Sequence, residues 1–291
     1  MVISIFQVVF MTLSIITINY NNRDGLQKTI DSVLVQTWRD FEWIVIDGGS
    51  TDGSRELIEQ HQEYFAYWCS EPDKGVYHAM NKGIAKASGT YLLFLNSGDL
   101  LYNSMALKKV DEYKPSADIV CCQVIRMDNG QFFRRIRKSL PQQLIYNSLS
   151  HQSTFIKRAL FNTYRYNENY KIVSDWLGWA EWLLKDNCSI EHLNIILTIQ
   201  DVTGISCTQL ELNTKERIQA FNEVFGYRLA QDITQSYSDL DNLSVRRILF
   251  LSSHTKILYK ICYYVLAIIV RLYDWFHRSD TFEKYEINKY I

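Results

Sequence analysis

Polar side chains follow four predicted strands in the first hundred residues, each at the carboxyl end of its strand. They are Asn19, Asp47, Asp73 and Asp99. In open parallel sheets the carboxyl ends of the strands meet along one edge, and ligands bind there. Seven of the twelve glycines lie between Gly48 and Gly98, as expected where backbone approaches a ligand closely. This pattern predicts one polar binding site.

Asp99 is the candidate metal ligand. The segment Asn96-Ser97-Gly98-Asp99 directly follows the apolar run Leu92–Leu95. A carboxylate in that place can hold Mn²⁺ or Mg²⁺ against a diphosphate, because phosphate and water oxygens complete the coordination of such hard cations. The alternative is an ordinary turn aspartate, since turns commonly carry this residue.

Two other segments indicate nucleotide binding. Asp47 ends a strand and can accept from a base imide or amide, while Gly48 lets the base lie flat against backbone. Asp73-Lys74-Gly75 precedes a predicted helix whose N-terminal amides and dipole favour phosphate. The alternatives are a tight strand-to-helix turn for the first segment and a surface lysine in an ion pair for Lys74.

The elements that must position these residues alternate along the chain. β-branched runs alternate with segments of helical period, which predicts βαβ units and a largely parallel sheet. The predicted strands are 13–19, 41–46, 64–69, 91–95, 118–126 and 131–136, and the predicted helices are 24–36, 54–62, 76–86 and 176–185. One domain is expected over 11–235, in two halves at 11–115 and 116–235.

Composition excludes several classes of protein. A hydrophobic fraction of 47% and a charged fraction of 22% are typical of a globular domain. The formal net charge of −1 gives no overall field that would attract nucleic acid, so no nucleic-acid partner is expected. Six cysteines without a C-x-x-C pair favour a reduced, cytosolic compartment. The first strand is not followed by G-x-G-x-x-G, which excludes a Rossmann-type dehydrogenase.

The tail at 244–278 is basic and partly apolar. Ile261–Val270 is too short to span a bilayer core, which needs about 20 apolar residues. Six basic residues stand against the single acid Asp274: Arg246, Arg247, Lys256, Lys260, Arg271 and Arg278. The pattern predicts an amphipathic helix on an anionic membrane surface, hence a cytoplasmic protein peripheral at the inner face of the cell membrane. A contact with the catalytic domain or with a second subunit in a homodimer is the alternative.

The run from Leu13 to Leu100 closely resembles family 2 glycosyltransferases. The motifs that carry the resemblance are Ser14-Ile15-Ile16-Thr17, Ile44-Val45-Ile46-Asp47-Gly48-Gly49-Ser50-Thr51-Asp52-Gly53, Ser70-Glu71-Pro72-Asp73-Lys74-Gly75 and Phe94-Leu95-Asn96-Ser97-Gly98-Asp99. Within the family the chain is most similar to the exopolysaccharide-cluster branch of the colanic acid and amylovoran type. The resemblance implies an α/β GT-A fold, Rossmann-like with a mixed, mostly parallel central sheet and here a C-terminal helical tail. It also implies inversion, a UDP- or GDP-sugar donor, and Mn²⁺ or Mg²⁺.

The resemblance also assigns residues to the donor site. Asp99 matches the last acid of the family's D-x-D motif, and Ser97 or Asn96 stands where many relatives have the earlier acid. The expected nucleotide-sugar contacts are Thr17, Asn19, Asp47, Gly48, Asp73, Lys74, Gly75, Asn81, Asn96, Ser97 and His151. His151 resembles a position that contacts the diphosphate or the acceptor, and a structural histidine is its alternative.

Inversion requires a base that takes the proton from the acceptor hydroxyl. Asp175 opens a predicted helix and resembles the acidic base position of the family, with an N-terminal helix cap as the alternative. Trp176, Trp179 and Trp182 form either an apolar wall for the acceptor or part of the core.

Together with the tail, the resemblance implies an inverting transferase with a nucleotide-sugar half at 11–115 and an acceptor half at 116–235. It would add a sugar to a saccharide acceptor, lipid-linked, in bacterial surface polysaccharide biosynthesis. The alternative is a non-catalytic nucleotide- or sugar-binding module on a decayed transferase fold. That alternative predicts loss of Asp99 or of the base, yet both candidate residues are present.

Overall fold

The computed structural model describes residues 12–128, 131–134, 148–228 and 230–231. The predicted tail at 244–278 lies outside these residues. The strands are β1 Leu13–Asn19, β2 Phe41–Asp47, β3 Tyr67–Ser70, β4 Tyr91–Phe94, β5 Leu100–Leu101, β6 Ile119–Asp128, β7 Gln131–Arg134, β8 Thr154–Lys157 and β9 Ile190–Gln200. The helices are α1 Arg23–Leu34, α2 Ser54–Gln60, α3 Val76–Lys86, α4 Ala106–Tyr113, α5 Ser174–Ala180, α6 Ile205–Thr208 and α7 Leu210–Phe225.

The described strands form one mixed sheet, as predicted. Its order is β3-β2-β1-β4-β8-β6-β9-β5, and β7 pairs with β6. The first four strands are mutually parallel. Strand β8 runs antiparallel to both β4 and β6, and β6 is parallel to β9. The predicted α/β fold is therefore confirmed, with the four parallel strands joined to the rest of the sheet through β8.

The parallel half is buried on both faces, as its uninterrupted apolar strands require. Trp43 is buried in β2, and its ring meets Phe65 edge-to-face at a centroid distance of 4.9 Å. Helix α3 packs closely on β1, since a Cβ at Gly83 would lie 2.4 Å from Ile16 Cγ2. This contact fixes α3, and with it the loop that precedes α3, against the sheet.

The part of the chain that follows β8 has its own aromatic core. Trp176, Trp179 and Trp182 are fully buried. Trp176 contacts Phe221 of α7 at a centroid distance of 4.8 Å, and Trp182 contacts Phe161 at 4.9 Å. The idea that these tryptophans form an exposed wall for an acceptor is therefore wrong, because their rings hold α5 against neighbouring elements of the protein.

Two local differences from the predicted elements have clear causes. The third strand begins at Tyr67 rather than at Tyr64, because Gln62–Tyr64 forms a 3₁₀ turn with Tyr64 N donating to His61 O. The predicted helix to Lys185 is α-helical only over Ser174–Ala180, and a π-helical turn follows over Glu181–Lys185. Among the described residues, no helix is long and apolar enough to cross a membrane.

Candidate active site

The carboxyl ends of the parallel strands bring polar residues of distant sequence together. In the strand register Asn19 lies opposite Asp47, and Asp47 lies opposite Ser70. Asn19 Nδ2 donates to Asp47 Oδ1 at 2.7 Å. This edge of the sheet is where ligands bind in open parallel sheets.

The Asp47 carboxylate is buried and saturated with hydrogen bonds. Its donors are Asn19 Nδ2, Gly49 N, Ser50 N, Ser50 Oγ and Ser70 Oγ. Burial raises the pKa of Asp47, but the hydrogen bonds from Ser50, Ser70 and Asn19 outweigh it, and the pKa lies below its usual value. Asp47 thus organises the loop, whereas Asn19 Oδ1 is buried without a hydrogen-bond partner in the described part of the chain.

Gly48 leaves room for two side chains that flank the edge. A Cβ at Gly48 would lie 2.6 Å from Asp73 Oδ2 and 3.1 Å from the ring of Tyr20. Tyr20 is 66% exposed, so a ring face is open beside glycine backbone, an arrangement suited to a flat base. Asp73 Oδ1 accepts from Gly75 N at 2.8 Å, which shapes the turn into α3.

The loop that ends at Asp99 is held from two sides. Thr29 Oγ1 donates to Asp99 O at 2.9 Å and accepts from Gly98 N at 2.9 Å. From the other side, Asp201 N donates to Asp99 Oδ1 at 2.9 Å. A Cβ at Gly98 would lie 2.5 Å from Asp201 Oδ2, so only glycine allows this approach. Both halves of the domain therefore fix the position of Asp99.

Asp99 is a buried carboxyl group whose pKa is raised. It is 6% exposed, and burial raises its pKa to about 7 against the opposing effects of the His151 charge and the Asp201 N–H group. Asn96 Oδ1 in the same loop is buried without a hydrogen-bond partner among the described residues. A carboxylate and a free amide oxygen in one loop are ligands that suit a hard divalent cation.

The protein alone supplies few ligands for that cation. Within the described ranges, no group of three or more His, Cys, Asp or Glu side chains is arranged around a metal position. Mg²⁺ in particular is commonly held by one or two carboxylates together with phosphate oxygens and water. The arrangement therefore suits a cation that arrives with a diphosphate.

His151 joins the Asp99 loop to Asp175. Its Nε2 lies 3.3 Å from Asn96 Nδ2, and its Nδ1 lies 3.3 Å from Asp175 Oδ2. Burial lowers the pKa of His151, but the hydrogen bond and charge of Asp175 and the charge of Asp99 raise it above its usual value. The imidazole therefore links the predicted base to the predicted metal side.

Asp175 lies in the first turn of α5 and is 9% exposed. Its Oδ1 accepts from Tyr77 OH at 3.0 Å and from Trp176 N at 2.9 Å, while Oδ2 faces His151. The N-cap position belongs to Val173, so Asp175 is not the helix cap. Burial and the charge of Asp175 raise the pKa of Tyr77 well above its usual value, and the phenol remains a neutral donor.

Thr17 and Asn81 direct their side chains into protein contacts. Thr17 is fully buried, and its hydroxyl accepts from Trp43 Nε1 at 3.0 Å. Asn81 Nδ2 donates to Tyr166 O at 2.8 Å, and Asn81 Oδ1 accepts from Tyr166 N at 3.2 Å. The structure thus uses both residues to hold the frame around the strand-end edge.

Lys74 and Ser97 lie in loops of the edge itself. Lys74 N donates to His78 Nδ1 at 3.2 Å, and in the residues that the structure describes no carboxylate pairs with its ammonium group. Ser97 Oγ and Ser97 O accept from Asn22 Nδ2 at 3.4 and 3.2 Å. Lys74 is therefore a cation available to an anionic ligand.

Four residues of the site escaped prediction from sequence. They are Tyr20, Thr29, Tyr77 and Asp201. Tyr20 directly follows the first strand, and this position alone could have predicted that it lies at the binding edge. The other three are single residues in helices or after a late strand, where only the folded contacts reveal their partners.

Comparison with known proteins places the chain among glycosyltransferases. Residues 14–183 match the family described as Glycosyl transferase family 2. An uncharacterized glycosyltransferase of Mycobacterium tuberculosis is 54% identical over 204 residues, which cover 67% of this chain and 76% of the relative. A PGL/p-HBAD biosynthesis glycosyltransferase of Mycobacterium bovis is 34% identical over 183 residues, covering 59% of this chain and 66% of the relative.

Two solved structures share the fold. TarS of S. aureus in complex with UDP-GlcNAc gives a TM-score of 0.59 at 19% identity, covering 77% of this chain and 70% of that chain. The mannosyltransferase PcManGT of Pyrobaculum calidifontis, in complex with GDP-Man and Mn²⁺, gives a TM-score of 0.55 at 14% identity, covering 90% and 87%. At these identities the likeness supports the fold alone, which is the predicted GT-A fold.

Proposed function

Since the chain belongs to glycosyltransferase family 2, we propose that it is an inverting, metal-dependent enzyme that moves a sugar from a UDP- or GDP-sugar to a saccharide acceptor. The observation that carries this proposal is the run of contacts from Asn96 through His151 to Asp175. It connects a loop suited to a diphosphate with a carboxylate suited to proton abstraction. A decayed binding module would have no need of that connection.

Asp175 is the proposed base. In an inverting displacement the acceptor hydroxyl attacks the anomeric carbon opposite the leaving diphosphate, and a carboxylate takes its proton. Tyr77 OH and His151 Nδ1 hold the two carboxylate oxygens in place. His151 also keeps the proposed base beside the loop of Asn96, since its two ring nitrogens lie 3.3 Å from Asp175 Oδ2 and 3.3 Å from Asn96 Nδ2.

The donor side would be held by the strand-end edge. Tyr20 and the Gly48 backbone offer a surface for the base, and Asn19 Oδ1 offers a buried acceptor. Lys74 offers a cation to the diphosphate. Asp99 and Asn96 Oδ1 would hold Mn²⁺ or Mg²⁺, which when bound neutralises charge on the leaving diphosphate. The remaining predicted contacts, Asp47, Asp73, Gly75 and Ser97, would shape the loops that carry these groups.

A titration with nucleotides tests the donor site. We expect the purified chain to bind either UDP or GDP with calorimetric affinity that improves at least about tenfold on adding Mn²⁺, since the cation bridges protein and phosphate oxygens. Transfer is then followed as nucleotide release from UDP-glucose, UDP-GlcNAc and GDP-mannose, with p-nitrophenyl glycosides as acceptors. Binding without any nucleotide release or transfer would favour the decayed module, and no binding of either nucleotide would contradict the donor site.

The acceptor and pathway are the finer part of the proposal. We propose a lipid-linked saccharide in surface polysaccharide biosynthesis, in the exopolysaccharide branch of the family. Two observations support it: the basic, partly apolar tail at 244–278, and the similarity to a PGL/p-HBAD biosynthesis glycosyltransferase. The same tail supports attachment to the inner face of the cell membrane as an alternative to a homodimer contact.

Vesicle binding tests the tail in the full chain. We expect cosedimentation with vesicles that contain anionic phosphatidylglycerol, and a loss of at least about tenfold when four tail cations become Gln, because each contributes about 1 kcal/mol near such a surface. The substituted residues are Arg246, Arg247, Lys256 and Lys260. The matched control replaces four exposed cations of the catalytic domain, namely Lys28, Arg55, Lys108 and Lys109. Equal loss in both variants, or no binding by the unmodified chain, would contradict a membrane role for the tail.

A further inference from the structure

Helix α7 reaches the segment before the proposed base through one buried carboxylate. Glu216 is 7% exposed. Its Oε1 accepts from Lys171 N at 2.8 Å, and its Oε2 accepts from Ile172 N at 2.8 Å and Val173 N at 3.3 Å. These consecutive N–H groups lead into α5, which starts at Ser174 and has no side-chain cap of its own. A carboxylate at this place satisfies and stabilises the start of the helix.

Ile172 connects Glu216 to the hydroxyl group that binds Asp175. Its N–H group donates to Glu216, and its C=O group accepts from Tyr77 OH at 2.5 Å. The same Tyr77 hydroxyl lies 3.0 Å from Asp175 Oδ1. A displacement of the Ile172 backbone would therefore move the hydroxyl that orients the proposed base.

Lys171 transmits the contact toward the donor loop. Its N–H group donates to Glu216, while its Nζ donates to Lys74 O at 3.0 Å. A Cβ at Gly75 would lie 3.6 Å from the same Nζ atom. The segment held by Glu216 therefore contacts the Tyr77 hydroxyl, which binds the proposed base, and the loop predicted to face the diphosphate.

We propose that Glu216 is a positioning residue for sugar transfer, which fixes Asp175 relative to the donor loop without touching substrate. The inference rests on the proposed function, because it requires Asp175 to act as the base. Glu216 lies outside residues 14–183, which match the family, so the contacts alone assign its role. The docking of α7 has other supports, since Glu223 accepts from Tyr170 OH at 2.6 Å and Phe221 packs on Trp176.

The first arm of the test replaces the carboxylate with an amide of the same size. We expect Glu216→Gln to lower kcat about 10- to 100-fold, since a displacement of about 1 Å in a catalytic group has an effect of that size. The Kd of the donor nucleotide should stay within about twofold. Glu223→Gln controls for helix docking, and Glu211→Gln, at an exposed position of the same helix, controls for loss of charge. Neither control should lower kcat comparably.

A double-mutant cycle separates positioning from general stability. If Glu216 acts through Asp175, Glu216→Gln should cause less than about a twofold further loss in the Asp175→Asn background, because effects of residues that act as a unit are not additive. A loss of equal factor in both backgrounds would overturn the proposal. So would a kcat that falls only in proportion to the folded fraction.

Amide hydrogen exchange provides a readout independent of turnover. We expect Lys171, or Ile172 and Val173, whichever face the new NH₂ group, to exchange at least about tenfold faster in Glu216→Gln and unchanged in Glu223→Gln. Only the first variant replaces one of the two oxygens that accept from these amides. Unchanged exchange in Glu216→Gln would overturn the proposal, as would faster exchange with wild-type kcat. Failure of the proposed function would appear in the unmodified chain or as full activity of Asp175→Asn, whereas failure of this inference would appear in the Glu216 variant alone.

Discussion

Asp175→Asn is expected to lower the kcat of sugar transfer about 10²- to 10⁴-fold, the usual contribution of a general base. The variant side chain keeps the shape of the original and an oxygen that accepts from Tyr77 OH and Trp176 N, as Asp175 Oδ1 does. It loses the negative charge and the lone pairs that would receive the acceptor proton. The effect should therefore fall on turnover, with the Kd of the donor nucleotide within about twofold.

The charge of His151 offers an independent check on the same variant. The hydrogen bond and charge of Asp175 raise the pKa of His151 against the effect of burial. The His151 pKa, followed by NMR of the imidazole protons, should consequently be lower in Asp175→Asn than in the unmodified chain. Its imidazole would then lose its proton at a lower pH.

Asp186→Asn is the matched control for the base. Asp186 follows the same helical segment and is exposed, so its charge has no route to the acceptor hydroxyl. Transfer should be unchanged in this variant. If Asp175→Asn retained more than about a tenth of the wild-type kcat, Asp175 would not be the base, and another group of the site would have to take the proton.

The parallel half of the fold could be predicted because its signals are local. Strand β1 and helix α3 agree with the predicted bounds, since a continuous apolar run and a helical period each specify their own element. The third strand was misplaced by the aromatic residue Tyr64, which belongs to a 3₁₀ turn. An aromatic residue such as Tyr64 favours a strand as strongly as Tyr67 does. Only the pairing of β3 with β2 therefore decides where β3 starts.

The site was predictable where a motif carries it and not where a single distant contact does. Asp99 was predicted from its place after an apolar strand and from motif resemblance, and Asp175 from motif resemblance. In the structure His151 contacts both Asp175 and Asn96, which belongs to the Asp99 loop. By contrast, no sequence motif includes Glu216. Its proposed role depends on hydrogen bonds from backbone N–H groups more than forty positions away in the sequence. The buried tryptophans show the reverse problem, because spacing along a helix cannot tell which face is covered until neighbours such as Phe221 are known.

The second large effect concerns Asp99→Asn, which should abolish the Mn²⁺ dependence of nucleotide binding. Even the outer partners of metal ligands contribute 10- to 100-fold in affinity, so we expect a loss of at least about 100-fold in the apparent affinity for Mn²⁺. The variant side chain retains an oxygen for the Asp201 N–H group, as Asp99 Oδ1 does. Calorimetric titration with nucleotide, with and without Mn²⁺, measures the change directly.

The same variant should stabilise the metal-free protein, with a defined dependence on pH. The pKa of Asp99 is raised from an ordinary value of 3.8 to about 7 in the folded chain, mainly by burial. Well below pH 3.8 the group is protonated in both states and has no effect on folding. Between this pH and about 7 the unfolded chain ionises while the folded chain stays protonated, so stability falls as the pH rises through this window and falls no further above it. At about 1.4 kcal/mol per pKa unit, the loss at pH 8 is on the order of 4 kcal/mol.

Thermal unfolding in the presence of EDTA tests whether the Asp99 charge destabilises the metal-free protein. The unfolding midpoint of Asp99→Asn should exceed that of the unmodified chain by more at pH 8 than at pH 5.5.

Asp47→Asn is the control with the opposite sign. Hydrogen bonds from Ser50 and Ser70 outweigh burial and lower the Asp47 pKa. The Asp47 charge therefore stabilises the fold at neutral pH, and this contribution is lost in acid. An Asp99 variant destabilised at pH 8 as much as the Asp47 variant would show that Asp99 is compensated within the protein. The loop at Asp99 would then have no electrostatic need for a cation, and the metal-dependent donor site would have to be abandoned.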